Sequence, residues 1–393
     1  MTLPSSSQLS EVIEDARPGF ASGVESLEGV FQIRMNNVTR EGGWDYSKKR
    51  YVPADGKLVD RFRLEDGDVL FNATNSPELV GKTALVCEPT EPMVFSNHFL
   101  RLRADPRRLL QPYLARWLQL QFERGIFASM CQRWVNQAAV KRDRLLAMTI
   151  PLPSLTDQRR IARVLDAADA LRTARRDALS RLALLPEAYF LSMFGDPVTN
   201  VQRWPRATIG EIGDVITGNT PSRAIQSNYG DYIGWVKSDN LGGQQTYVTL
   251  PTEFLSRTGA KMARVVGRNA ILVTCIAGSP TSIGNLAITD HEVAFNQQIN
   301  AVVPRRVDVK FLYTQLKLCK RLVQLASTGG MKGMVSKSRL MGITLINPPL
   351  ELQRDFAARF DQVEKAKEQA GQSRSHLDAL FASLQDRAFK GEL

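Results

Sequence analysis

The stretches VKRDRLLAMTIPLPSLTDQRRIARVLDAADAL (140–171) and VSKSRLMGITLINPPLELQRDFAARFDQVEKA (335–366) align without a gap at an offset of 195 residues. Identical pairs include Arg144/Arg339, Leu145/Leu340, Pro153/Pro348, Gln158/Gln353, Arg159/Arg354 and Asp166/Asp361. The register holds through Leu182/Leu377, Leu185/Leu380 and Phe194/Phe389. A gapless match of this length marks an internal repeat, and the repeat sets the organisation of the chain. In the first copy, Pro151 and Pro153 end a strand-like run, since proline cannot donate to a ladder. Ser154-x-x-Asp157 then opens a helix as a capping-box-like start.

Ile161, Val164, Ala168, Leu171, Ala178, Leu182, Leu185 and Tyr189 follow at steps of three and four, broken once by Arg175. Phe356, Val363, Ala366, Ala370, Leu377, Leu380 and Leu384 repeat the stripe. Each is one-sided, so each helix needs a partner, and the other copy is the simplest one. The expectation is an antiparallel coiled coil with pseudo-twofold symmetry. Pro186 predicts a kink or break. About 30 helical residues at about 1.5 Å each make a spacer of about 45 Å.

Upstream, the halves match more loosely. Ser76-Pro77-x-x-x-Gly81 parallels Ser279-Pro280-x-x-x-Gly284, and Asn97 in FSNHFLRL parallels Asn296 in AFNQQINAVV. Strand candidates are GDVLFNAT (67–74), TALVCE (83–88), YIGWV (232–236), AILVT (270–274) and INAVV (299–303). One helix is expected in each half, PYLARWLQLQFE (112–123) and KFLYTQLKLCKRLVQLA (310–326). The fold class is mixed α/β: two globular domains, residues 1–153 and 196–349, separated by helices at 154–195 and 350–393.

The chain has 393 residues, room for roughly two to four domains. No run approaches a membrane span, and MTLPSSSQLSEV has no signal-peptide pattern, so a cytoplasmic protein without membrane contact is expected. Four dispersed cysteines without a CxxC read as intracellular thiols, and no metal site is expected. The net charge is +11. Residues 97–144 contribute +7 and residues 304–340 contribute +8, leaving the remainder at about −4. Basic patches in two repeat-equivalent places suit a duplex contacted twice.

Two motifs invite a catalytic reading. Gly81-Lys82-Thr83 looks like the end of a phosphate-binding loop, but Ser76 stands where its first glycine belongs. Asn347-Pro348-Pro349-Leu350 looks like an adenine methyltransferase motif, but Leu350 stands where an aromatic should stack on the flipped base. No HExxH, GxSxG or paired metal-carboxylate signature appears.

The segments IPLPSLTDQRRIARVLDAADALR (150–172), NPPLELQRDFAARFDQVEKA (347–366) and AFKGEL (388–393), with VITGNTPSRAIQSNYGDYIGWVKSDNL (215–241), resemble the specificity subunit of type I restriction–modification enzymes. That resemblance covers essentially the whole chain. It implies two target recognition domains, each reading half of a split sequence in double-stranded DNA. The helices would fix the spacer and dock two methyltransferase subunits, and restriction subunits would join them. S-adenosylmethionine, and ATP with Mg2+, would belong to those partners, with no cofactor and no catalysis in this chain. Arg and Lys suit guanine, and Asn and Gln suit adenine. The base-reading candidates are Arg34, Asn36, Asn37, Arg40, Asn72, Asn75 and Arg133 in the first domain. In the second they are Thr220, Ser222, Arg223, Lys237, Asp239, Asn240, Gln244, Gln245 and Lys332. Arg107, Arg108, Arg305 and Arg306 are expected to clamp phosphates. Gln158, Asp166, Gln353 and Asp361 are candidates for the interface with the methyltransferase subunits. Two other readings remain open: an autonomous DNA methyltransferase using Asn347-Pro348-Pro349, and a coiled-coil scaffold binding an acidic protein.

Overall fold

The two long helices begin where the repeated stretch places them. A computed structural model describes residues 5–26, 28–134, 137–243, 245–328 and 333–393, with Arg133 and Trp134 described by backbone alone. The first long helix spans Leu155–Phe194 and the second Leu350–Lys390. Ser154 Oγ accepts from the Asp157 N–H at 3.1 Å and donates to the Asp157 carboxylate at 2.7 Å. Of the kink or break expected at Pro186, a break does not occur, for the first helix runs on through it. Two turns of helix beyond it are anchored by Phe190 and Phe194, both fully buried, and that packing offsets the backbone hydrogen bond proline cannot make.

The chain packs as two units, Met1–Ala174 with Arg374–Leu393, and Arg175–Ser373. The boundary therefore falls within both long helices. Each unit joins a globular part to the first half of one helix and the last half of the other, running antiparallel. In unit 1, Arg172 Nε reaches Asp378 at 2.8 Å and Tyr113 packs on Phe389 with ring centroids 5.1 Å apart. In unit 2, Phe190 meets Phe356 and Phe311 with ring centroids 5.7 and 5.1 Å apart.

The predicted stripe holds in part: Ile161, Phe356, Val363 and Ala370 are buried, whereas Val164, Leu171 and Leu380 are exposed, and Leu165, Phe381 and Ala388 are buried beside it. A heptad count fits either face of a helix this polar; packing against the globular body selects the larger Phe381 over Leu380.

Both globular parts have the same sheet plan. In unit 1 an antiparallel sheet runs Ile13–Pro18, Phe99–Ala104, Val69–Asn72, Thr83–Leu85. In unit 2 it runs Gly213–Thr217, Ile299–Pro304, Ile271–Thr274, Leu286–Ile288. A second sheet in each carries a parallel pair, Val30–Ile33 with Met93–Phe95, and Tyr229–Val236 with Val293–Phe295. The helix Gln111–Glu123 packs on the first unit. Its counterpart is two helices rather than the expected one, Val309–Leu318 and Lys320–Leu325, because the backbone turns at buried Cys319 (φ −92°, ψ 18°). No helix among the described residues is long and apolar enough to cross a membrane, and no metal-holding cluster occurs among them.

Candidate nucleic-acid interface

Parallel strands end on the same edge of their sheet, so the loops that follow them are neighbours. In unit 1 the strand Val30–Ile33 runs into the turn 34–37, and Met93–Phe95 runs into Ser96-Asn97-His98. The Ser96 N–H donates to the Ile33 carbonyl at 2.9 Å and locks the two together. Gly19 lets a third segment close in. A Cβ there would stand 2.2 Å from the Phe95 carbonyl oxygen and 2.4 Å from that of Ser96. The result is a cleft of about 550 Å³ whose polar lining includes Gln32, Arg34, Asn36, Arg50, Asn97 and His98. Arg34 Nε and Ser96 Oγ are buried there without a hydrogen-bond partner.

The turn is held from behind. Asn37 is fully buried; its Oδ1 accepts the Arg34 N–H at 2.9 Å. Its Nδ2 donates to the carbonyls of Asp45 at 2.9 Å and Lys48 at 3.3 Å. Lys82, from the phosphate-loop-like motif, donates to the carbonyls of Met35 at 2.8 Å and Val38. Burial, and then the nearby Arg40 charge, lower its pKa. That ammonium is a strut for the turn and does not face a nucleotide site.

Unit 2 repeats the construction. The strands Tyr229–Val236 and Val293–Phe295 lead into the turn 237–240 and the loop Asn296-Gln297-Gln298. Asn240 Oδ1 accepts the Lys237 N–H at 3.0 Å, as Asn37 does for Arg34. A Cβ on Gly218 would stand 2.2 Å from the Asn296 carbonyl oxygen. Thr220 Oγ1 bonds Gln297, and Ser238 Oγ donates to Gln298 Oε1 at 3.3 Å. The register makes Asn97 the counterpart of Gln297 rather than of Asn296. Lys237 and Arg223 both close on Glu253, Arg223 Nη2 at 2.9 Å. The Lys237 hydrogen bond, and then that of Arg223, hold the Glu253 carboxyl below the usual carboxylate range against its partial burial.

The structure thus gathers Arg34 and Asn36 in one cleft, and Thr220, Arg223 and Lys237 around the equivalent edge of the other unit. Asp239 and Gln245 are exposed, and Ser222 offers its carbonyl to Asn228 at 3.1 Å. Several expected readers are placed otherwise. Asn37 has its amide turned inward. Asn72 is also fully buried and donates to the carbonyls of Thr74 and His98, both at 3.2 Å, so it fixes the loop rather than facing out. Asn75 donates to Asn72 Oδ1 at 2.5 Å. Arg40 lies with its guanidinium 5.5 Å from the Phe122 ring centroid, away from the cleft. Gln244 and Lys332 lie outside the described residues, as does the side chain of Arg133.

The expected phosphate clamps stand at the other end of a shared strand. Phe99–Ala104 begins beside His98 and ends before Arg107 and Arg108, a run of about 20 Å. Arg107 is bidentate on Asp105, and Arg108 donates to the Glu11 carbonyl at 2.8 Å. Arg305 pairs with Asp214, and Arg306 is exposed. These arginines therefore do not border the clefts.

The repeated glutamines are also structural. Gln158 is fully buried; it accepts the Leu110 N–H at 2.9 Å and donates to the carbonyls of Arg108 and Pro153 at 2.9 and 3.0 Å. Gln353 accepts the Asp308 N–H at 2.9 Å and donates to Asn347 Oδ1 at 3.1 Å and the Pro348 carbonyl at 2.7 Å. Neither amide is open to a partner, and the Asn347-Pro348 groups of the methyltransferase-like motif are engaged in this joint. Asp166 and Asp361 remain half-exposed, paired with Arg116 and Lys310.

Sequence reasoning missed Gln32, Arg50, Asn97, His98, Glu253, Gln297 and Gln298. The His98 carbonyl accepts from the Ala73 and Thr74 N–H groups, and the residue also lines the cleft. The parallel pairing that brings these loops together leaves no local signal.

A family model described as the type I restriction modification DNA specificity domain matches residues 25–181 and 202–374. The chain is similar to the protein named as the MjaX specificity subunit of Methanocaldococcus jannaschii, at 24% identity over 92% of this chain and 90% of that one. It is 30% identical to the HindI specificity subunit of Haemophilus influenzae over 38% of this chain and 33% of that one. Among solved structures, its fold resembles the type I restriction-modification S subunit from M. genitalium, with TM-score 0.59, 16% identity and coverage of 98% and 96% of the two chains. A chain in a structure of type I restriction–modification complex assembly gives TM-score 0.61 at 20% identity, with both chains covered in full.

Proposed function

The chain belongs to the type I restriction–modification DNA specificity family, and on that premise we propose how its two units divide the work. It is a specificity subunit with two target recognition domains. Each unit reads one half of a bipartite site in double-stranded DNA, using the edge where its parallel strands end. The observation that carries this reading is that both edges are built from the same parts: an Asn-pinned turn opened by a cation, beside a polar three-residue loop. The amide side chains of these edges address base edges in the major groove, while free cations neutralise phosphates.

The methyltransferase subunits, two in number, dock along the long helices. Val164 and Leu171 in one unit and Leu184 and Leu191 in the other expose apolar surface at seven-residue spacing, which suits a packed partner. Asp166 and Asp361, exposed on the same two helices and paired with Arg116 and Lys310, are further candidates for that interface. Restriction subunits join the resulting complex. S-adenosylmethionine, and ATP with Mg2+, are bound by those partners, and this chain supplies targeting alone.

The test is co-expression with the methyltransferase encoded beside it, followed by single-molecule mapping of methyladenine. A split motif methylated only with this chain present is expected. A chain lacking residues 205–345 should lose one half of that motif and keep the other. Unchanged methylation from a confirmed soluble complex, or the same bipartite motif after the deletion, would overturn the reading.

A further inference from the structure

One register position carries opposite charge in the two units. In unit 1 the Gln32 N–H donates to the Arg50 carbonyl at 2.9 Å; in unit 2 the Trp235 N–H donates to the Glu253 carbonyl at 2.9 Å. The ladders agree, since Val30 pairs with Val52 and Ile233 with Leu255. Arg50 and Glu253 are therefore structural counterparts, as are Arg34 and Lys237. Arg50 and Arg34 share the first cleft, and neither has an ion pair among the described residues. In unit 2 the cations are bound. Arg223 lies 5.3 Å from the ring centroids of Tyr229 and Trp235, Lys237 lies 5.3 Å from that of Trp235, and both close on the Glu253 carboxylate.

Resting on the reading of both units as DNA readers, we propose that Glu253 is a positioning residue that withholds Lys237 and Arg223 from DNA phosphates. The generic grip on a duplex then comes from unit 1, while unit 2 engages through base edges. The reason is one of exchange. A free arginine meeting a phosphate gains an ion pair and releases a counterion. A lysine already on a carboxylate trades one partner for another and leaves the carboxylate facing a polyanion. Stacking on Trp235 and Tyr229 adds to what the cations would forfeit.

The readout is the salt dependence of binding to a duplex of scrambled sequence, measured with the full chain. Each phosphate neutralised adds about 0.9 to the slope of log affinity against log salt. Glu253→Gln should steepen the slope by about 1–2 and tighten low-salt binding several-fold, and adding Lys237→Met should take back about 0.9. The mirror experiment does not depend on that variant folding. Arg50→Glu should flatten the slope by about two contacts, because the new carboxylate also captures Arg34, whereas Arg50→Gln should flatten it by about one. A folded Glu253→Gln with the wild-type slope, or Arg50→Glu no flatter than Arg50→Gln, would overturn the proposal. The DNA-reading premise is checked separately. A random duplex pool passed over the wild-type chain should enrich a split motif; binding without enrichment would remove the premise while the slopes still decide on Glu253.

Discussion

Asn37 uses its whole side-chain amide to close the turn that presents Arg34 and Asn36. Replacing it with alanine leaves an N–H and two carbonyls without partners in a buried place. The expected cost is about 1–3 kcal/mol, and Lys82→Met should cost a similar amount by orphaning the carbonyls of Met35 and Val38. A lowered unfolding midpoint, by roughly 2–4 °C per kcal/mol, together with loss of sequence preference in one half-site, is the check. A melting curve unmoved by either substitution would contradict the turn as described. Asn36 and Asn37 also mark what a sequence can convey at this scale. Residue type singled out both, since amides suit adenine and suit turns equally. Only the tertiary neighbours, Asp45 and Lys48, decide that one faces in and the other out. Gln158 and Gln353 follow the same logic: their repetition was plain, but repetition does not distinguish a joint from a docking surface.

The long helices were legible as elements, down to the Ser154 start, because capping and periodicity are local. Their facing was not, because it is chosen by what they pack on. Gln158 is where the first helix is tied to its body. Gln158→Leu should destabilise by about 1–3 kcal/mol through the orphaned Leu110 N–H and two carbonyls. Faster amide hydrogen exchange in the helix's first turns would report it. By contrast, Leu171→Ser sits on the exposed face, 59% accessible, and should stay within about 0.5 kcal/mol of wild type. If Leu171→Ser proved the more damaging change, the assignment of buried and exposed faces would be inverted. The strands show the same division. Val69–Asn72, Ile271–Thr274 and Ile299–Pro304 lie within or beside their predicted runs, whereas the parallel pairing that shapes each cleft joins strands about sixty residues apart.

At the scale of the molecule, the repeat was readable from the alignment alone, while the way it packs was not. Segments expected at 154–195 and 350–393 as separate elements are instead divided between units. Residues 374–393 belong with residues 1–174, through Phe381, Ala388 and Phe389 in one core with Ile161 and Tyr113. Removing 374–393 should therefore weaken hydrogen-exchange protection throughout unit 1 and leave unit 2 near its full value. Equal losses in both would refute the division. The same arrangement also sets an order of events on the ribosome. Unit 2 is one unbroken segment, Arg175–Ser373, and has all of its parts once that segment has emerged. Unit 1 must wait for residues made about two hundred positions later than Ala174, roughly 10–40 s at ordinary rates of synthesis. During that interval the part of the unit 1 core that Phe381, Ala388 and Phe389 complete stays open to water, so newly made unit 1 exposes apolar surface that the finished chain does not.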